Sequence, residues 1–239
     1  MKDAAQLSQI ASMTAAVDEA DFLQKAQAAA RAIGFEHVLL GFEWRRHSLP
    51  PIQHVTSGFP AGYQQVYVER GLIMLDPTVP YCQTHTQPLE WDEAMYTSPQ
   101  SREVLEESRK YGLSHGLSVP VHESGSIASM LSLGRDKPFE SDSEREVVMA
   151  GGSVLANCAH VVIKRVLFPA FAAQLRARLT KRELECLQWI AQGKSNTVIA
   201  DILRISENAV EYHLKSLFPK LKVSTRVQAA IVAVEMSLV

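Results

Sequence analysis

The sequence predicts an α+β protein: an α/β/α sandwich around an antiparallel sheet in front and an all-α four-helix module behind. Three observations carry this. Short β-like runs occur in pairs and are enclosed by helical patterns fore and aft, the arrangement of a sheet covered on both faces. The last part of the chain reads as helix after helix, each opened by a Ser or Thr cap. The charge also divides: up to Pro169 there are 14 Lys+Arg against 20 Asp+Glu, a net of −6, and beyond it 10 against 6, a net of +4. A small basic module behind a larger acidic one points to a chain whose tail alone meets a polyanion.

In the front part, Asp21 to Ile33 is Ala-rich with apolar residues at helical spacing, and Gly34 stops it. Phe35 to Trp44 reads as a strand, ended by a charged, Pro-containing loop through Pro51, and Gln53 to Ser57 as a second strand. Gly58-Phe59-Pro60 opens a short helix, Ala61 to Glu69, closed by Gly71. Ser98-Pro99 supplies a cap and an N-terminal Pro for a helix over Arg102 to Tyr111. His115 to Val121 and Ile127 to Arg135 form a hairpin through Glu123-Ser124-Gly125, and Asp142 to Ile163 is a long helix.

In the tail, Thr180 and Glu183 have the spacing of a capping box, followed by KRELECLQWIAQ and Gly193. Ser195-Asn196 starts a second helix, Ser206 caps a third, ENAVEYHLKSLF, and Ser224 caps a fourth. On a wheel of 100° per residue, Leu214, Leu217 and Leu221 fall within about 40° of Val210, so this stripe faces the other helices. The opposite side carries Asn208, Tyr212, Lys215 and Lys222. A polar outer face on a helix that follows a short partner through a tight turn is the geometry of a helix-turn-helix reader in a major groove. Lys neutralises phosphates, and an amide such as Asn208 addresses base edges. The candidate contacts to double-stranded DNA are Lys194, Ser195, Asn208, Tyr212, Lys215 and Lys222. A small solvated helical bundle is the alternative.

At 46% hydrophobic and 21% charged, the chain is in the ordinary globular range. Three cysteines do not make a disulfide framework, and the start, MKDAAQLSQIASM, lacks the apolar core of a signal peptide. The most apolar run, Val154 to Phe171, is broken by Lys164, Arg165 and Pro169, so no membrane partner is expected and the cytoplasm is. Cys82 and His85 are near in sequence, but no nucleophile, base and orienter come together, and Cys-x-x-Cys spacing is absent. Neither an enzyme, a metal site nor a cofactor is expected.

The run LTKRELECLQWIAQGKSNTVIADILRISENAVEYHLKSLFPKL resembles the DNA-binding module of LuxR-type transcription regulators. The matching positions include Leu179-Thr180, Arg182-Glu183, Leu187, Gly193-Lys194-Ser195, Ile205-Ser206, Val210, His213 and Lys220-Leu221. The resemblance makes Glu183, Leu187 and Gly193 framework positions. Pro219 departs from it and is expected to bend the last turn of the third helix while pointing outward.

The front part, with Tyr67, Asp76-Pro77, Trp91 and Gly116, and supporting matches at Pro60, Gly112 and Ser132, resembles the autoinducer-binding domain of quorum-sensing receptors. That resemblance implies residues 1–165 as an autoinducer-binding domain, 166–177 as a linker and 178–239 as the helix-turn-helix domain. The ligand it implies is an N-acyl homoserine lactone. Asp76 would accept the ligand N–H, Tyr67 and Ser132 would donate to the acyl carbonyl, and Trp91 would wall the lactone ring. Tyr63, Phe59 and Thr78 complete the candidate set. Taken singly, Asp76-Pro77 also reads as a helix cap, and Tyr67 and Trp91 as packing. Tyr63 departs from the Trp usual in the family, and Phe59 from a hydroxyl-bearing aromatic, so two polar handles on the head group are altered. Either the lactone sits with a shifted or water-bridged head group, or the protein senses a non-lactone small molecule or acts without a ligand. The resemblance further implies a homodimer on a palindromic site and RNA polymerase as a partner. Asp142 to Ile163 and Ala229 to Val234 are the candidate dimer surfaces.

Overall fold

A computed structural model describes residues 2–45, 51–123 and 127–239. The chain divides into two compact units, one reaching Lys164 and the other beginning at Arg165.

The first unit runs α1 (Lys2–Met13), α2 (Glu19–Ala32), β1 (His37–Trp44), β2 (Ile52–Ser57), α3 (Ala61–Glu69), α4 (Thr78–Thr84), β3 (Leu89–Glu90), α5 (Pro99–Arg109), β4 (His115–Glu123) and β5 (Ile127–Arg135), then enters α6 (Asp142–Arg178). The five strands form one antiparallel sheet in the order β2-β1-β5-β4-β3. Period-two alternation gives β1 its two faces. Val38, Leu40, Phe42 and Trp44 are buried on one side, and Leu39, Gly41 and Glu43 are half-buried on the other. Gly152 of α6 packs against Leu117 and Leu133, where an added Cβ would lie 2.7 Å from the tip of Leu117. The second face, with Leu39, Gly41, Met130 and Ser132, looks into a cavity.

The second unit holds α7 (Lys181–Ala191), α8 (Asn196–Leu203), α9 (Glu207–Leu221) and α10 (Arg226–Glu235). Val210, Leu214, Leu217 and Leu221, the stripe expected to face inward, are all buried. Thr180 and Glu183 form the expected capping box, and Arg204, in the left-handed region at φ 54°, turns the chain from α8 to α9.

Several expectations are corrected. The long helix expected to end at Ile163 is α6 and runs through Pro169 to Arg178, so residues 166–177, expected as the linker, are helical. One missing donor does not break a run whose continuation, AFAAQLRAR, is rich in helix formers. Likewise α9 runs past Phe218, through Pro219, to Leu221, while Pro219 is exposed and the core stripe intact, as expected. Lys222, placed on the outer face of that helix, is its left-handed C-cap at φ 55°. Thr225, not Ser224, caps α10, through a box with Gln228. Helix α1 and the short strand β3 had no counterpart in the sequence reading, and α4 had only the cap reading of Asp76-Pro77. The charged loop before Pro51 and the β4–β5 turn fall on residues 46–50 and 124–126, outside the described residues. Among the described residues only α6 is long and apolar enough to cross a membrane, and Leu155, Ala156, Ala159 and Ile163 on it are fully buried.

Candidate ligand cavity and DNA-reading helix

A cavity of about 950 Å³ lies over the second face of the sheet, at the upper end of the range for small-molecule sites. All seven expected residues, Phe59, Tyr63, Tyr67, Asp76, Thr78, Trp91 and Ser132, line it.

Tyr63 and Tyr67 sit four residues apart on α3, on one face. Asp76 lies between a short 3-10 turn (Leu72–Met74) and α4. Its Oδ1 accepts from the Thr78 backbone N–H (2.9 Å) and the Thr78 hydroxyl (2.7 Å), and its Oδ2 from the Tyr67 hydroxyl (2.9 Å). One oxygen thus holds the start of α4, as the cap reading of Asp76 expects, and the other has a lone pair left. Burial pushes the Asp76 carboxyl above the usual carboxylate range, against the pull of the Thr78 and Tyr67 hydrogen bonds. Burial, with the Asp76 charge nearby, also raises both tyrosines, so they are neutral hydroxyls. The single Tyr67 proton goes to Asp76, so Tyr67 supports the carboxylate here rather than offering the cavity a donor.

Tyr63 is buried among Phe59, Tyr67 and Tyr111, with ring centroids 6.2, 5.6 and 5.9 Å away. Trp91 crosses Phe59 edge to face at 6.3 Å, and its indole N–H donates to Ser118 (2.9 Å), which in turn shares a hydrogen bond with Ser132 (2.9 Å). The indole packs closely over β4 because position 116 is Gly. A Cβ there would come within 2.3 Å of the Leu133 carbonyl and 2.5 Å of the indole ring. Gly116→Ala is therefore expected to lift Trp91 off the sheet at a cost of about 1–3 kcal/mol, read as a lower melting temperature together with a blue- or red-shifted Trp91 emission. An unchanged melt would mean that the close approach is not required.

Sequence reasoning missed Ser118, Tyr96 and Tyr111. Alternation along HGLSVPV places Ser118 on the same face as Gly116, but nothing local marks its partner, because Trp91 is 27 positions away.

In the second unit, Asn208, Tyr212, Lys215 and Lys222 are exposed, and Tyr212 is 70% so. Lys194 and Ser195 are exposed at the start of α8, where Ser195 caps the Val198 N–H. Lys215 pairs with Glu211 at 2.7 Å. Glu183 is only 2% exposed and binds Lys220 (2.7 Å), the Ser216 hydroxyl (2.7 Å) and the Thr180 N–H (2.7 Å), tying α7 to α9. That set fits the framework role expected of it.

A cavity over a sheet, in one unit, and a separate helix-turn-helix unit are the architecture of a transcription regulator with a small-molecule-binding domain. Residues 18–162 match the family described as autoinducer binding domain, and 177–233 the bacterial regulatory proteins of the luxR family. The chain belongs to the LuxR family of quorum-sensing regulators, with an autoinducer-binding domain and a DNA-binding helix-turn-helix domain. It is 32% identical over 197 residues to the transcriptional activator VanR of Vibrio anguillarum, covering 82% of each chain. It is 28% identical over 221 residues to AnoR of Acinetobacter nosocomialis, covering 92% of this chain and 93% of that one. Escherichia coli SdiA, solved in complex with octanoyl-rac-glycerol, shares the fold at TM-score 0.68 and 19% identity, over 98% of this chain and 94% of that one. The family is one of transcription regulators, not enzymes.

Proposed function

We propose that the first unit, residues 1–165, binds an N-acyl homoserine lactone, and that residues 178–239, joined through 166–177, then engage a palindromic promoter site as a homodimer. The observation that carries this is the polarity of the cavity. Asp76 Oδ2 offers a vacant acceptor position, and Ser132 and Tyr63 offer hydroxyls. An acceptor beside donors suits an amide, which presents an N–H and a carbonyl together. Along β5 from Ser132 to Ala128 the cavity face runs about 13 Å past the bare backbone of Gly41, room for an extended acyl chain. Tyr63, in place of a longer indole, donates to the lactone carbonyl with a shifted or water-bridged head group, and Trp91 walls the ring.

Filling the cavity stabilises the folded unit by mass action, roughly 2.7 kcal/mol at a hundredfold excess over the dissociation constant. Support for dimerisation comes from α6, where Val147, Val154 and Val161 are exposed at seven-residue intervals, and from Val227, Ile231 and Val234 on α10. On the DNA side, Lys194, Lys215 and Lys222 meet phosphates, Ser195 positions α8 against the backbone, and Asn208 and Tyr212 face base edges. The work of such a regulator places it in the cytoplasm with RNA polymerase as a partner.

A second reading, a ligand without a lactone, draws on Tyr63 and on the acylglycerol seen in SdiA, whose hydroxyl can also donate to a carboxylate. Thermal shift of the full chain against N-hexanoyl, N-octanoyl, N-decanoyl and N-dodecanoyl homoserine lactone and octanoyl glycerol separates them. A shift with a lactone, exceeding that with octanoyl glycerol, is the expected result. The reverse order favours the second reading, and no shift beside tight promoter binding favours a ligand-independent regulator.

A further inference from the structure

Trp91, Ser118 and Ser132 form a row of hydrogen bonds across the sheet, with indole Nε1 2.9 Å from Ser118 Oγ and Ser118 Oγ 2.9 Å from Ser132 Oγ. Trp91 and Ser132 line the cavity; Ser118 does not, and is wholly buried. Counting protons fixes the direction of the row. An indole only donates, so Ser118 Oγ accepts from it. Among the described residues, the one acceptor that the Ser118 proton meets is Ser132 Oγ. Were Ser132 to donate instead, the Ser118 proton would be buried with no acceptor, a cost that folded proteins avoid.

The geometry points to Ser118 as a positioning residue for ligand recognition: it transmits the fixed polarity of the Trp91 indole to Ser132, which then faces the cavity as a donor and selects ligands carrying a carbonyl oxygen at that place. An isolated serine hydroxyl is free to rotate and either accepts or donates. Ser132, already accepting from Ser118, has its proton left for the ligand, and each donor in such a chain strengthens the next. The inference rests on the cavity being a site for an N-acyl homoserine lactone, whose acyl carbonyl is the acceptor. It also gives Trp91 a second task besides walling the ring, and it makes Ser132 a donor on physical grounds.

The test is a double-mutant cycle on the full chain, with the dissociation constant of the tightest of the four lactones as the readout. Ser118→Ala is expected to weaken binding about tenfold when Ser132 is present and less than about twofold in a Ser132→Ala background, while Ser118→Thr, which keeps the hydroxyl, restores affinity to within about threefold. A merely structural Ser118 would weaken both backgrounds equally, and that result overturns the relay, as does a Ser118→Ala affinity equal to wild type. Should Ser118→Ala fail to fold, Trp91→Phe removes the N–H that starts the row while keeping an apolar ring. Its effect is expected to shrink in the Ser132→Ala background, and equal effects in both backgrounds overturn the proposal. If no lactone binds the wild-type chain, the reading beneath falls and the relay with it. If a lactone binds but no coupling appears, the relay alone falls.

Discussion

Asp76→Asn is expected to weaken lactone binding by roughly a hundredfold, measured by titration calorimetry on the full chain. The carboxylate already accepts three hydrogen bonds from Thr78 and Tyr67, and the ligand N–H would add a fourth. An Asn amide has one acceptor oxygen for all of these, and it turns an NH2 donor toward other donors. Asp76→Ala removes the acceptor altogether and is expected to abolish the ligand-dependent thermal shift. Wild-type affinity in Asp76→Asn would sink the pocket assignment. The sign of the pH dependence follows from burial. The Asp76 carboxyl is raised in the ligand-free protein, and a ligand N–H favours its ionised form. Affinity therefore falls as pH is lowered far enough to protonate Asp76, and is full above that range.

The second large effect is expected at Glu183, in the other unit. Burial alone would raise this carboxyl. The Lys220 ammonium, the Thr180 N–H and the Ser216 hydroxyl overcome it and hold the group down to about 2, from an ordinary 4.5. The folded value lies below the unfolded one, so Glu183 contributes its full stabilisation above about pH 4.5 and loses it as pH falls toward 2. At neutral pH the contribution is on the order of 2–3 kcal/mol, discounted because Lys220 is partly exposed. Glu183→Ala is expected to cost at least that much, since it strands a cation, a hydroxyl and a cap N–H between α7 and α9. Urea melts followed by circular dichroism at pH 7 and pH 3 check both points. The mutant should unfold at lower urea at pH 7, and the gap from wild type should narrow at pH 3. A gap that is absent at pH 7 would show that the tie between the two helices contributes nothing.

The second unit was the more legible of the two. Its apolar stripe, its Thr180 cap and its Ser206 cap are set by residues within four positions of each other, and local spacing is what a sequence displays. The two prolines show the limit of that reading. Pro169 and Pro219 each remove one donor; the sequence marks Pro169 only as an interruption of an apolar run, and Pro219 as a bend in the last turn of its helix. Neither ends its helix, because the residues that follow are helix formers and, in α9, because Leu217 and Leu221 are packed into a core the sequence does not display.

In the first unit, residue types were legible and their partners were not. All seven expected cavity residues line one space, yet the hydroxyl of Tyr67 is committed to Asp76, and Ser118, wholly buried beside Ser132 on the neighbouring strand, was not foreseen. The sequence by itself determined the family, the two units, the strands flanking the cavity and the buried and exposed faces of α9, because these follow from periodicity, caps and motif residues read along the chain. Only the tertiary structure decided where each polar proton goes. A hydrogen bond depends on which atoms lie within about 3 Å, and Trp91, Ser118 and Ser132 reach that distance only once three strands are paired in register.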